Sequence, residues 1–244
     1  MKHFLCGLLL LALSMDASAG EPGNDPAAVL ILDHVSAVIG ELKSCSYTLN
    51  VSRDVNDPGL GLVKHFEVDE VHMVGPDKML VNVRSDRGHK GYWYNGTTIT
   101  YYSYDENNYA TVKAPGTILE TIDTMNRGYG IDFPAADFFY PTLTDDLIAE
   151  TDRIVFLGKK NVEGKECFHI LAAGKKMSVQ MWIADDALNL PLKLSIAHYD
   201  QPNTPQYEAT FSNWQINPDL PSAIFEFMPP QTAARITLVP KTAN

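Results

Sequence analysis

From Ser46 to Phe227 apolar and polar residues alternate with a period of two, broken only by turn signals and one helical insertion; nothing else in the chain constrains its fold as much. Successive side chains of a strand point to opposite faces, so this pattern calls for an antiparallel sheet with one dry and one wetter face. Tyr47, Leu49 and Val51 alternate with Thr48 and Asn50, and strands over residues 66–73 and 79–84 follow, split by Gly75-Pro76-Asp77. Asn95-Gly96 then predicts a two-residue type I′ hairpin loop, because both central positions of that turn need positive φ. It pairs Tyr94 with Thr97, Trp93 with Thr98 and Tyr92 with Ile99. One face carries Tyr92, Tyr94, Ile99 and Tyr101; the other carries Trp93, Thr98, Thr100, Tyr102 and Tyr104. A turn at residues 105–108, with Tyr104 opposite Tyr109, adds Ala110 and Val112 to the Ile99 face, which is the inner one. A second block starts near Arg153, turns at Glu163-Gly164, and continues through Cys167 to Leu171. Its alternating sets are Met177, Val179, Met181 and Ile183, then Leu192, Leu194 and Ile196, then Tyr207, Ala209 and Phe211, with Phe225 and Phe227 closing the pattern.

The helical signals fall before and between these blocks. Asp25-Pro26 reads as an N-cap with proline at the first helical position, opening a helix over residues 26–42. Its apolar arc is wider than a surface helix needs, which predicts protein on more than one side. Thr117 and Glu120 form a capping box for a helix that Gly128 stops. Phe133, Phe138, Phe139 and Tyr140 follow, bracketed by Pro134 and Pro141, and a short helix near residues 144–150 ends the segment. The layout is a helix (26–42), a first β block (46–113), a helical segment (117–150), a second β block (151–230) and a tail (231–244). It implies mostly β structure with α: a single curved antiparallel sheet, a half-open β-barrel, with helices covering the concave face.

The start of the chain sets the compartment. Lys2 and His3 precede an apolar run over residues 4–13, and Ala17-Ser18-Ala19 offers the small-x-small pattern of a cleavage site. We read residues 1–19 as a signal peptide cut before Gly20, leaving residues 20–244 as one periplasmic domain. Cys6 lies too early for a lipid anchor, and no later segment is apolar enough to span a membrane. A net charge of −11 argues against nucleic acid as a partner. Cys45 and Cys167 have two readings in an oxidising compartment: a disulfide, or small buried apolar residues.

Chemistry-bearing motifs are missing. There is no nucleophile elbow, no catalytic cysteine signature and no phosphate-binding glycine loop. No catalytic residue and no cofactor is nominated, which predicts a non-enzymatic protein. His65, Asp69 and His72 are close in sequence, but strand alternation puts Asp69 on the face opposite His72, so no metal site is assigned. Asp145-Asp146 and Asp185-Asp186 read as turns or a helix start rather than acid–base pairs. The aromatic crowd over residues 92–109 is either cross-strand packing or the lining of a cavity.

Several stretches together resemble a known family. They include Tyr92-Trp93-Tyr94-Asn95-Gly96, Ala114-Pro115-Gly116-Thr117-Ile118, Gly164-Lys165-Glu166-Cys167-Phe168-His169, Ser212-Asn213-Trp214 and Phe225-Glu226-Phe227-Met228-Pro229-Pro230. The family is one of predicted periplasmic proteins carried as a domain of unknown function. It is similar in fold to the LolA/LolB lipoprotein carriers and to the amino-terminal domain of RseB-type stress regulators. Cys167 fits its pattern; Cys45 falls where an ordinary apolar residue is expected, which weighs against the bridge. The resemblance implies a half-closed β-barrel plugged by helices, whose cavity in the carriers holds acyl chains. The expected function is therefore a carrier of a lipid or lipidated protein. Alternation along the strands nominates Tyr92, Tyr94, Ile99, Tyr101, Val112, Met181, Ile183, Leu194 and Phe211 as lining, with Phe133, Phe138, Phe139 and Tyr140 as a lid. The alternative is an envelope-sensing module that binds a protein partner, its concavity permanently filled by its own helices.

Overall fold

The computed structural model describes residues 23–241, so the expected signal peptide lies outside the described residues. Helix α1 (Pro26–Gly40) precedes a six-stranded meander: β1 (Ser44–Asp57), β2 (Gly61–Val74), β3 (Lys78–Ser85), β4 (Gly88–Tyr94), β5 (Thr98–Ser103) and β6 (Asn108–Lys113). Helix α2 (Ile118–Tyr129), a 3₁₀ turn at Ala136–Phe139 and α3 (Leu143–Glu150) follow. A second meander comprises β7 (Arg153–Val162), β8 (Lys165–Ala173), β9 (Met177–Ala184), β10 (Pro191–His198) and β11 (Gln206–Ile216), and a last short strand is β12 (Ala234–Arg235). All twelve strands form one sheet in the order β12-β6-β5-β4-β3-β2-β1-β11-β10-β9-β8-β7. The two meanders join where β1 pairs antiparallel with β11, bringing Cys45 opposite Ile216 and Arg53 opposite Tyr207. Among the described residues only the β12–β6 pair is parallel, and the sheet they form is not closed, since β12 and β7 sit at opposite ends of the order.

Inner-face residues of both meanders share one core with all three helices: Leu49, Val81, Tyr94, Ile183 and Phe211 belong to the same buried cluster as Leu32, Ile122 and Leu147. A twelve-stranded sheet can bury one face in one core only by bending around what it covers. Helix α1 contributes the stripe Ala28, Leu32, Val35 and Ile39, the i, i+4, i+7, i+11 spacing of one helical face. The wider arc read from the sequence is not buried throughout, because Leu30 stays 70% exposed.

Three local expectations are corrected. The hairpin pairs Tyr94 with Ile99 and Tyr92 with Tyr101, two residues out of the expected register. Only Gly96 of the loop has positive φ, at 93°. Asn95 instead turns the chain with its side chain, whose Oδ1 accepts from the N–H groups of Thr97 and Thr98 at 3.2 and 3.1 Å. The next turn slips likewise, pairing Tyr102 with Tyr109. A slip of two leaves every side chain on its face, so the assignment of faces holds. Helix α2 runs past Gly128 and stops at Gly130, which adopts the left-handed C-cap conformation at φ 67°.

The third correction concerns the carboxyl-terminal segment, expected to end in a strand and a loose tail. Phe225 lies in a 3₁₀ turn, Ser222–Phe225. Phe227 packs on the outer face against Trp93, Tyr102 and Tyr109, with ring centroids 5.0–5.4 Å apart. The chain then borders β6, where Ala234 and Ile236 donate to the carbonyls of Asn107 and Tyr109 at 3.0 and 2.8 Å, and Lys241 donates to Gly128 of α2 at 2.7 Å. At the other edge, the Asp25 N–H bonds the carbonyl of Ile154 in β7 at 2.7 Å. Asn24 accepts from the Ile154 N–H at 2.9 Å. Flanking chain thus covers part of each edge of the open sheet, residues 108–109 of β6 and the start of β7, which limits edge-to-edge pairing there. Phe227→Ala is expected to cost about 2 kcal/mol, since three ring contacts are lost from a half-buried position. Hydrogen exchange should show the Ala234 and Ile236 amides losing protection first; unchanged protection there would contradict the anchoring role.

Cys45 and Cys167 are both buried and unbonded. They sit in separate apolar clusters, on β1 and β8, with β11, β10 and β9 between them. Four strand spacings of about 4.8 Å put them far outside disulfide reach.

Candidate functional site

The concave face is filled unevenly. Over the first meander the helical segment packs directly on the sheet. Phe133 meets Tyr92 edge-on at 5.3 Å and Phe139 stacks on Tyr47 at 5.9 Å; just across the seam, Phe138 meets Phe211 of β11 edge-on at 5.6 Å. Over the second meander a cavity of about 640 Å³ remains. Its floor is Met177, Val179 and Met181 of β9 with Leu194 and Ile196 of β10. Its opposite wall is Ile122 of α2, residues 132–138 and Tyr140 of the connecting segment, and Leu143 and Leu147 of α3. The volume falls within the range of small-molecule sites, and the floor is apolar because alternation sends every second residue of two neighbouring strands inward.

The polar residues around this cavity are mostly acidic. Asp123, Asp132, Asp137, Asp146 and Glu150 line it, against Arg53 and His198. Asp123 accepts from the Tyr140 hydroxyl at 2.7 Å and pairs with Arg127 at 2.8 Å. Arg53 is already paired with Glu67. The Tyr207 hydroxyl, on the wall, is buried without a hydrogen-bond partner among the described residues.

Beside the cavity, a hollow of about 20 Å³ is walled by Ile122, Phe133, Pro134, Ala136 and Phe139 together with Asp69 of β2. Asp69 is 1% exposed. Neither of its carboxyl oxygens has a partner among the described residues. Burial, reinforced by the neighbouring Glu67 carboxylate, pushes its pKa up to about 7 against the opposing pull of Arg53 and Lys90. The concave face is therefore not oily throughout, as alternation had suggested, but carries a charged patch of Arg53, Glu67 and Asp69. The signal was present: Arg53 is in phase with Leu49 and Val51, and Glu67 and Asp69 with Val71 and Met73.

Of the residues nominated as lining, Met181 and Leu194 face the cavity, as do Phe133, Phe138 and Tyr140 of the nominated lid. Phe139 borders the small hollow instead. Tyr92, Tyr94, Ile99, Ile183 and Phe211 are buried in the core, and Tyr101 and Val112 pack against it. The Tyr94 hydroxyl donates to the Pro115 carbonyl at 2.6 Å. Residues that line the cavity but were not nominated, Met177, Val179 and Ile196, belong to alternating sets already visible in the sequence.

Residues 28–239 match the family described as "Predicted periplasmic protein (DUF2092)". No curated protein sequence is matched. Among solved structures, an uncharacterized conserved protein from Thermus thermophilus is similar at 10% identity and a TM-score of 0.51, over 86% of this chain and 99% of that one. The lipoprotein LppX of Mycobacterium tuberculosis aligns at 14% identity and a TM-score of 0.46, over 82% of this chain and 100% of its own. A LolA superfamily protein from Nitrosomonas europaea aligns at 9% identity and a TM-score of 0.39, over 82% and 97%. At such identities the Thermus likeness speaks for the fold alone. No helix among the described residues is long and apolar enough to cross a membrane.

Proposed function

The chain belongs to the DUF2092 family of predicted periplasmic proteins, and we propose that it is a non-enzymatic periplasmic carrier that holds the acyl chain of a lipid or lipidated protein between its sheet and its helical segment. The observation that supports this reading is the cavity of about 640 Å³ floored by Met181, Leu194 and their neighbours. Burying an acyl chain there contributes about 0.8 kcal/mol per methylene, offset by the ordering of chain and segment. Native mass spectrometry of protein released gently from periplasm is expected to show bound lipid mass, and the emptied protein is expected to take up a fluorescent dodecyl probe with an uncharged head. Ile196→Trp, which fills the cavity from a partly buried floor position, is expected to lower uptake about tenfold while the fold persists. Protein that carries no lipid and takes up no probe would refute the reading.

A second reading, a partner-binding module plugged by its own helices, draws support from the close packing of Phe133 and Phe139 on Tyr92 and Tyr47. It predicts a stoichiometric protein partner on lipid-free material and no change in partner binding on Ile196→Trp.

A further inference from the structure

The charge around the cavity restricts what can sit in it. The inference rests on the carrier reading and concerns the ligand's polar end. An acyl chain on the floor of β9 and β10 leaves its head among the polar residues of the lining. At the mouth, Asp132, Asp137, Asp146 and Glu150 are exposed carboxylates on the lining. Thr142 bonds Asp146, and Asn126 bonds Asp132, so two of the four are held by neutral donors that leave their charge in place. The guanidinium of Arg53, also on the lining, is engaged by Glu67. Close by lie two polar groups with no partner among the described residues: the Tyr207 hydroxyl on the cavity wall, and Asp69, 1% exposed, in the adjoining hollow that shares Ile122, Phe133, Pro134 and Ala136 with the cavity.

An anionic head, whether phosphate or carboxylate, finds the lining guanidinium already engaged and a field of like charge at the mouth; Lys90, the other cation near Asp69, is not part of the lining. A buried carboxyl with unfilled acceptor positions and an acidic mouth both suit a donor that carries positive charge. We propose that the cavity selects an amphiphile with an apolar chain and a cationic, hydrogen-bond-donating head of the amine class. His198, the other basic side chain on the lining, stands alone against the carboxylates named above.

The test compares dodecylamine with dodecanoate, each below its micelle concentration, by calorimetry on the mature protein at low and at high salt. The amine is expected to bind about tenfold more tightly at low ionic strength, with the gap narrowing as salt screens the mouth. Replacing the exposed carboxylates together, Asp132→Asn with Asp137→Asn and Asp146→Asn, is expected to remove most of the preference without unfolding the chain. Equal or tighter binding of dodecanoate overturns the inference and leaves the carrier reading intact. Amine binding that persists unchanged in Ile196→Trp also overturns it, since the amine would then be held elsewhere on an acidic surface. If neither compound binds, nor the uncharged probe, the carrier reading itself fails and takes this inference with it.

Discussion

Arg53→Ala is expected to destabilise the protein by about 3–5 kcal/mol at pH 8, because it strands a buried carboxylate. Glu67 is 8% exposed, Arg53 is its ion-pair partner, and Asp69 lies beside both. With the guanidinium gone, two carboxylates share a largely dry patch with only Lys90 near. The effect should shrink toward pH 5, where Asp69 is protonated and one of the two charges has vanished. The same patch sets a pH dependence in the unaltered protein. Burial raises the folded-state pKa of Asp69 to about 7, whereas an unfolded aspartate titrates near about 3.9. Its folded form therefore binds a proton that its unfolded form has released. The corresponding stability is present in full below about pH 4, falls as pH rises, and is lost above about pH 7, at roughly 1.4 kcal/mol per unit. Between pH 5 and pH 8 that amounts to about 3 kcal/mol, an upper figure because a buried patch relaxes. Asp69→Asn, which cannot ionise, is expected to flatten this part of the profile. Urea titrations at pH 5, 6, 7 and 8 on the three proteins check both statements. Parallel profiles for the native chain and Asp69→Asn would mean that Asp69 is solvated in the folded protein rather than buried.

Phe138→Ala is expected to cost about 3–5 kcal/mol, the usual range for deleting a fully buried aromatic ring. Phe138 is 2% exposed, packs edge-on against Phe211, and also forms part of the cavity wall. It pins the segment between α2 and α3 to the sheet. Because its removal enlarges the cavity, the variant should recover part of the loss on binding an apolar ligand, by the linkage between binding and folding. Phe139→Ala should cost less, since Phe139 is only partly buried in its stack on Tyr47. Denaturant midpoints with and without the uncharged dodecyl probe measure both effects. A loss below about 1 kcal/mol for Phe138→Ala would mean that the segment is already detached from the sheet in solution, as a free lid would be.

How much of this was legible beforehand differs by element. The faces of β4, β5 and β6 came out right although their register did not: a slip of two residues preserves the direction of each side chain, whereas the position of the turn depends on how Asn95 spends its side-chain oxygen. The start of α1 was visible in Asp25-Pro26, and the start of α2 in Thr117 and Glu120, because caps are local. The end of α2 was missed because two glycines, Gly128 and Gly130, compete for it: Gly130 takes the left-handed cap, while the carbonyl of Gly128 stays in the helix and accepts from the distant Lys241. For the candidate site, the floor of β9 and β10 was half visible. Met181 and Leu194 were named, while seven other nominated residues proved to lie beneath helices or in the core rather than on the cavity.

By itself the sequence determined which residues alternate, hence which face of each strand is dry, where the helices begin, and that no familiar catalytic or metal motif is present. Those properties depend on neighbours a few positions apart. Only the tertiary structure decided that β1 pairs with β11, that the carboxyl-terminal segment masks β6, and that one half of the hollow is plugged while the other stays open. Each of those outcomes turns on side chains far apart in the chain competing for one volume. A periodic pattern marks a residue as inward but cannot say whether a helix or empty space will meet it there.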